Sequence, residues 1–381
     1  MNKRMIAAFI AVGATTLSTL AALYGDTPND THAWSVHDMN RPRPKVIQAE
    51  PGKPPSDAIV LFDGTNLDAW CMSKDQSPCK WKLADGAMEV AKGGEIRTKQ
   101  SFGDCQLHIE WASPAAGTGT GQGRGNSGIF LMGKHEVQVL DCYENETYAD
   151  GQTGSIYGET PPLVNACRKA GEFQTYDIIF HQPVWEGDVI KHPGTITVIH
   201  NGVLIQDHWE FEGTATHKVR APLKKKYEEK LPLRLQDHGN PVRYRNIWIR
   251  EIPSRVANTT HGGPGVKKED VMALRKETAA TLEKNVKWDN PNKVETLRLM
   301  MEIVSYEKTD ARMEPLKKLG AAYLEELAKL DAEALKGKKS DIITLRNDTN
   351  VLISNGVFSE NCKMRAGLQK IIDEQGFEKK K

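Results

Sequence analysis

Apolar residues recur at every second position in short runs along the first two thirds of the chain, and at every third or fourth along the last third. The first spacing predicts strands and the second amphipathic helices. Gln106-Leu-His-Ile-Glu-Trp alternates polar and apolar, as do Tyr176-Asp-Ile-Ile-Phe and Thr195-Ile-Thr-Val-Ile-His. Turn chemistry separates the runs. Asp63-Gly64 closes Ile59-Val-Leu-Phe, Asp85-Gly86 joins a tight hairpin from Trp81 to Val90, and Asn201-Gly202 precedes Val203-Leu-Ile. Leu233-Arg-Leu-Gln-Asp-His and Tyr244-Arg-Asn-Ile-Trp-Ile-Arg read as a last pair joined across Gly239-Asn240-Pro241. Many short strands with regular turns predict a β-sandwich over residues 57–253.

Helical spacing takes over at residues 267–286, 292–306, 313–335 and 361–375. In the third, Leu316, Leu319, Tyr323, Leu324, Leu327 and Leu330 form one stripe, so residues 264–381 are expected to make a small helical bundle. A Gly/Asn/Thr-rich linker at 255–265 separates the two parts. Residues 26–56, rich in proline, read as a linker or an arm laid over the sandwich. Residues 1–25 carry Lys3 and Arg4 before an apolar run, the pattern of a signal peptide, so export to a periplasmic or extracellular location is expected. Nothing after this leader approaches the apolar length of a membrane span.

A net charge of +1 removes the basic field that nucleic-acid binding needs. Six cysteines suit an oxidising compartment, and nearness along the chain suggests the pairs Cys71–Cys79 and Cys142–Cys167. No C-x-x-C spacing points to zinc. The glycine-rich stretch 117–125 lacks the Lys-Ser/Thr ending and the helix of a phosphate loop.

The candidate chemistry centres on residues 125–141. Gly125-Asn-Ser-Gly-Ile-Phe-Leu and His135-Glu-Val-Gln-Val-Leu-Asp read as two strands joined by Met132-Gly133-Lys134. In the second, Val137 and Val139 suit a core, which sets Glu136 and Gln138 together on the opposite face. Gln236 and His238 share a face by the same alternation. Asp141, Glu144, Glu146 and Asp150 form an acidic stretch whose spacing matches no defined calcium loop, so it reads as a solvated loop, with calcium the one metal it would suit. No cofactor is required by the sequence.

Several motifs in order resemble the 3-keto-disaccharide hydrolase family: Leu61-Phe-Asp-Gly-Thr-Asn-Leu-Asp-Ala-Trp, Asn126-Ser-Gly-Ile-Phe-Leu, His135-Glu-Val-Gln-Val-Leu-Asp, Thr153-Gly-Ser-Ile-Tyr-Gly, His200-Asn-Gly-Val, Leu235-Gln-Asp-His-Gly and Tyr244-Arg-Asn-Ile-Trp-Ile-Arg. The resemblance implies a mainly β fold, a concanavalin A-like jelly-roll β-sandwich, followed here by a small C-terminal α-helical domain. It implies a carbohydrate ligand, an oligosaccharide or glycoside, and hydrolysis of 3-keto sugars through loss of the C2 proton. Glu136 is then expected as base, with His238 or Arg245 stabilising the enolate or protonating the leaving oxygen. Asn126, Gln138 and Gln236 would hold hydroxyls, and Tyr157 or Trp185 would stack on a ring. Asp141 would join them only if a bulge or strand end turned it to the groove. For Arg245 a structural ion pair is the competing reading. Two departures, Phe173-Gln174 in place of Trp-Asn and an enlarged segment at 182–192, are expected at the groove rim. A sugar-binding module without catalysis, or a scaffold presenting the helical tail to a protein partner, are the alternatives.

Overall fold

The computed structural model describes residues 23, 25–91, 93–253 and 267–378. The expected leader lies almost wholly outside the described residues, as does the 255–265 linker. The chain divides into two compact units, residues 45–257 and residues 1–44 together with 258–381.

Two antiparallel sheets form the first unit. The larger contains β1 (Ile59–Phe62), β3 (Lys82–Ala84), β4 (Ala87–Glu89), β6 (Cys105–Ala112), β9 (Gln174–His181), β12 (Thr195–His200), β13 (Val203–Glu210) and β15 (Arg243–Glu251). They run in the order β13-β12-β9-β6-β15-β4-β3, with β1 also on β15. The smaller contains β2 (Trp70–Met72), β5 (Ile96–Phe102), β7 (Ser127–Leu131), β8 (His135–Val139) and β14 (Leu231–Leu235), ordered β2-β5-β14-β7-β8. A separate hairpin pairs β10 (Val184–Glu186) with β11 (Val189–His192). This is the sandwich that the alternation predicts.

Inward residues of both sheets make one core. Ile109, Trp111, Tyr176, Ile178 and Tyr244 come from the larger sheet, and Ile96, Ile129, Val137, Val139 and Leu235 from the smaller. Two tyrosines of the larger sheet cross it to the strands that carry the candidate chemistry. Tyr244 Oη donates to Ser127 Oγ at 2.7 Å, and Tyr176 Oη to the carbonyl of Gln138 at 2.8 Å. Buried phenols need such partners, and here they fix β7 and β8.

β14 and β15, expected to pair, lie in different sheets. Leu233 and Leu235 on one and Tyr244, Ile247 and Ile249 on the other are all buried in the common core. Facing each other across it buries both apolar edges, and the 239–241 turn carries the chain between sheets. β2 and β5 escaped the alternation because β5, Ile-Arg-Thr-Lys-Gln-Ser-Phe, spends an inward position on Thr98, whose hydroxyl donates to the carbonyl of Gln100 at 2.6 Å. All six cysteines are free thiols; Cys142 and Cys167 lie close enough to hydrogen-bond to each other.

The second unit holds α1 (Lys268–Glu283), α2 (Lys293–Tyr306), α3 (Asp310–Leu327), α4 (Ala332–Gly337), α5 (Lys339–Ser354) and α6 (Lys363–Gln375). The stretch read as one helix over 313–335 breaks before α4, where the Asp331 carboxylate caps the Ala334 N–H at 2.9 Å. The arm residues Ala33 and Trp34 are buried with Val271, Ala279, Ile303 and Tyr306 of α1 and α2. Asn40 Nδ2 donates to Glu302 Oε1 at 2.6 Å, and Tyr306 Oη donates to the Asp38 carboxylate. Residues 25–44 therefore pack with the helices. Among the described residues no helix is long and apolar enough to cross a membrane.

Candidate active site

Registers place a polar row on the face of the smaller sheet that turns away from the core. Phe130 on β7 pairs with Glu136 on β8 and with Arg234 on β14, and Arg234 pairs with Arg97 on β5. One step along, Gly128 pairs with Gln138, while the Gln236 N–H donates to the Gly128 carbonyl at 3.0 Å. Glu136, Gln138 and Gln236 thus share one face, as their alternation predicts.

Glu136 is only 5% exposed. The segment 154–157 extends the sheet past β8, with Gln138 N–H donating to the Ser155 carbonyl at 3.0 Å and Tyr157 N–H to the Glu136 carbonyl at 3.1 Å. Tyr148, on the loop that precedes this segment, lies near enough to feel the charge of the carboxyl. Burial lifts the Glu136 carboxyl to about 8; the Arg234 guanidinium opposes this and the Glu95 carboxylate adds to it. Arg234 is ion-paired to Glu95, and its guanidinium lies 3.8 Å from the centre of the Phe130 ring. Its Nε and the Gln236 Oε1 are buried without a partner. Turned to satisfy its own amide, Gln138 donates to the Ser127 carbonyl at 2.9 Å and to Glu136 Oε1 at 3.2 Å.

A chain of hydroxyl and imidazole groups lies at the rim. Tyr148 Oη and Tyr157 Oη are 2.8 Å apart, and Tyr157 Oη is 3.1 Å from His217 Nδ1. Burial and the neighbouring Tyr157 push the Tyr148 phenol up, which keeps it protonated. Tyr157 also borders a cleft of about 150 Å³ lined by Glu159, Glu212, Thr214, Thr216 and Arg220.

The remaining expected residues have other surroundings or partners of their own. Arg245 lies on the larger sheet, where its Nε donates to Glu110 Oε2 at 2.7 Å and its guanidinium stacks 3.8 Å from Phe173. A register shift between Arg245 and Trp248, with Asn246 at φ 44°, turns Arg245 outward while Tyr244 and Ile247 stay in the core. It is the structural ion pair and takes no part in the site of Glu136. Phe173 goes with it, away from any rim of that groove. His238 lies beyond the end of β14 and is exposed. Asp141 does turn at the strand end, but toward Arg124, whose Nε donates to it at 2.8 Å; being 1% exposed and also accepting from the Tyr143 N–H, it anchors the loop and is not available to a substrate. Asn126 is buried beside Gln138: its amide donates to the Gln122 carbonyl at 2.8 Å and lies 3.2 Å from Gln122 Oε1, the group that Gln138 also meets. Trp185 packs edge-on against Tyr227. Among the described residues no three His, Cys, Asp or Glu side chains converge as a metal site.

Arg234, Tyr148 and His217 were missed by the sequence reading. Arg234 was accessible, since it precedes Gln236 by two residues in the same strand; the other two reach the site through distant loops.

A family model described as the 3-keto-alpha-glucoside-1,2-lyase-like domain matches residues 57–250. An inferred glycosyl hydrolase from Parabacteroides distasonis, known from its crystal structure, is 48% identical over 55% of this chain and 93% of its own, with a TM-score of 0.53. A second from the same organism is 18% identical over 52% of this chain and 94% of its own, with a TM-score of 0.39. No curated protein matches. The family match spans the whole sandwich and every residue of the polar row, and the chain belongs to the 3-keto-disaccharide hydrolase family, with a glycosyl-hydrolase-like domain.

Proposed function

We propose that the sandwich cleaves 3-keto-glycosides, with Glu136 as the base that removes the proton on C2. The observation that carries this reading is a single buried carboxyl, raised to about 8, beside a guanidinium whose Nε lacks a partner. A ketone at C3 acidifies the C2 proton. Glu136 takes that proton, the C2–H electrons form the enolate on O3, and their return expels the C1–O bond to leave an enone. Water then adds at C1, C2 regains a proton, and the net result is hydrolysis. A carboxylate of raised pKa is a stronger base than an ordinary one and titrates close to working pH. Arg234 is assigned to the enolate oxygen, and the Tyr157–His217 pair to the leaving oxygen. Gln236, half-buried, supplies an amide for a sugar hydroxyl, while Gln138, as buried as Asp141, positions the Glu136 carboxyl. The composition of residues 1–25 supports an exported protein.

Glu95 gives a second reading a specific basis. An ordinary glycosidase needs two carboxyl groups, and Glu95, whose charge helps to raise the Glu136 carboxyl, is a candidate for the second. Its carboxylate is already engaged in the ion pair with Arg234, which suits a buttress better than a general acid.

Product release from a 3-keto-glucoside and from its parent glucoside, by the wild type, Glu136→Gln and Glu95→Gln, separates these readings. Cleavage of the keto sugar alone, lost in Glu136→Gln, supports proton abstraction. Cleavage of both sugars, lost in either variant, makes this a two-carboxylate glycosidase. Retention of sugar with cleavage of neither makes it a binding module.

A further inference from the structure

The polar row does not stop at Arg234. Arg97 is directly paired with Arg234 across β5 and β14, and with Cys71 across β2 and β5. Its neighbours Ile96 and Thr98 are buried toward the core, so Arg97 stands on the same outer face as Glu136. Two like charges directly opposite each other in a ladder repel. Arg234 is compensated by Glu95 and the Phe130 ring. Arg97 is not: among the described residues no carboxylate pairs with it, and its Nε is buried without a partner. Lys99, two residues on, shares the face and is exposed. Sheets rarely hold a half-buried guanidinium uncompensated, since desolvating a charge without a partner costs free energy.

Resting on the glycoside-binding reading of this face, we propose that Arg97 forms an anion subsite of the groove. The preferred substrate then carries a negative group, a uronate carboxylate or a sulfate ester, on the unit next to the ring that Glu136 attacks. Three strand spacings separate the two residues, about 14 Å between backbones, a distance that a disaccharide spans once the side chains reach inward. The planar fork of arginine suits both anions.

The test is binding, which does not depend on turnover. The full-length protein is titrated by calorimetry with cellobiose, with its uronic acid and with its 6-sulfate, as wild type, Arg97→Gln and Arg97→Lys. A charge-assisted contact is worth a tightening of about ten- to a hundredfold. The wild type is expected to prefer an anionic sugar by that factor, Arg97→Gln to lose the preference, Arg97→Lys to keep part of it, and added salt to shrink it. Whichever anion binds more tightly names the substituent. Equal affinity for neutral and anionic sugars in the wild type, a preference that survives Arg97→Gln, or binding of none of the three overturns the subsite. Turnover of the 3-keto-glucoside is judged separately, so failure here leaves the reaction standing.

Discussion

A Cβ added to Gly128 would stand 2.2 Å from Oε1 of Glu136. The glycine is therefore the floor on which the carboxyl lies, and its requirement is one of space alone. Gly128→Ala is expected to push the carboxyl off the sheet. A displacement of this size costs on the order of a hundredfold in rate. Turnover of a 3-keto-glucoside, with thermal melting as the control for folding, checks it; an unchanged rate would remove Glu136 from the chemistry.

The rate should follow the ionisation of that carboxyl. With Glu136 raised to about 8, kcat/KM for the keto sugar is expected to rise with pH and level off above about 8. A profile already level at pH 6 would show an unperturbed base.

Stability carries the same signature with a definite sign. The ordinary value of 4.5 applies to the unfolded chain, so between about 4.5 and about 8 the unfolded state releases a proton that the folded state keeps. Stability therefore falls with rising pH across that window and is flat on either side, as far as this group is concerned. Glu136→Gln removes the penalty. Its melting temperature should exceed that of the wild type at pH 8 by several degrees and match it near pH 4. Equal melting temperatures at pH 8 contradict the burial of a charged form.

The two arginines separate site from scaffold. Arg234→Ala is expected to lower kcat by about a hundredfold or more, as loss of a charge stabiliser does. Arg245→Ala removes a half-exposed ion pair with Glu110 and should cost no more than about 1 kcal/mol of stability, with turnover unchanged. The reverse ranking would return the enolate to Arg245.

Tyr157→Phe and His217→Gln test protonation of the leaving oxygen. Both should slow release of an alkoxide about tenfold or more, while release of 4-nitrophenolate, which leaves without a proton, stays near the wild-type rate. Equal losses for both leaving groups would make the pair a positioning device.

How much of this was legible depended on what local alternation can carry. Glu136, Gln138 and Gln236 declared their face because their strands are regular. Arg245 did not, because the shift at Asn246 reverses its side, and a positive φ at an asparagine leaves no mark in the pattern. The pairing of the last two strands failed for a different reason. Both have apolar inward faces, and alternation states that a face is buried without naming the sheet that covers it. Tyr148 and His217 arrive through loops, where no period exists. α5 was readable in principle, with Ile342, Leu345, Thr349 and Leu352 buried at helical spacing, but Thr349 interrupts the apolar stripe.

The clasp of Asp38 and Asn40 on α2 makes the helical unit discontinuous in the chain. Its first piece emerges from synthesis before residues 45–257, and its partners only afterwards. Trp34 must therefore wait for the sandwich to be made before it finds α1 and α2. The sandwich behaves as an insertion within the helical unit, so cutting the chain after residue 253 would not trim a tail. It would strand the N-terminal segment with its apolar residues uncovered, and a soluble sandwich for expression should begin near residue 45 as well as end near 253.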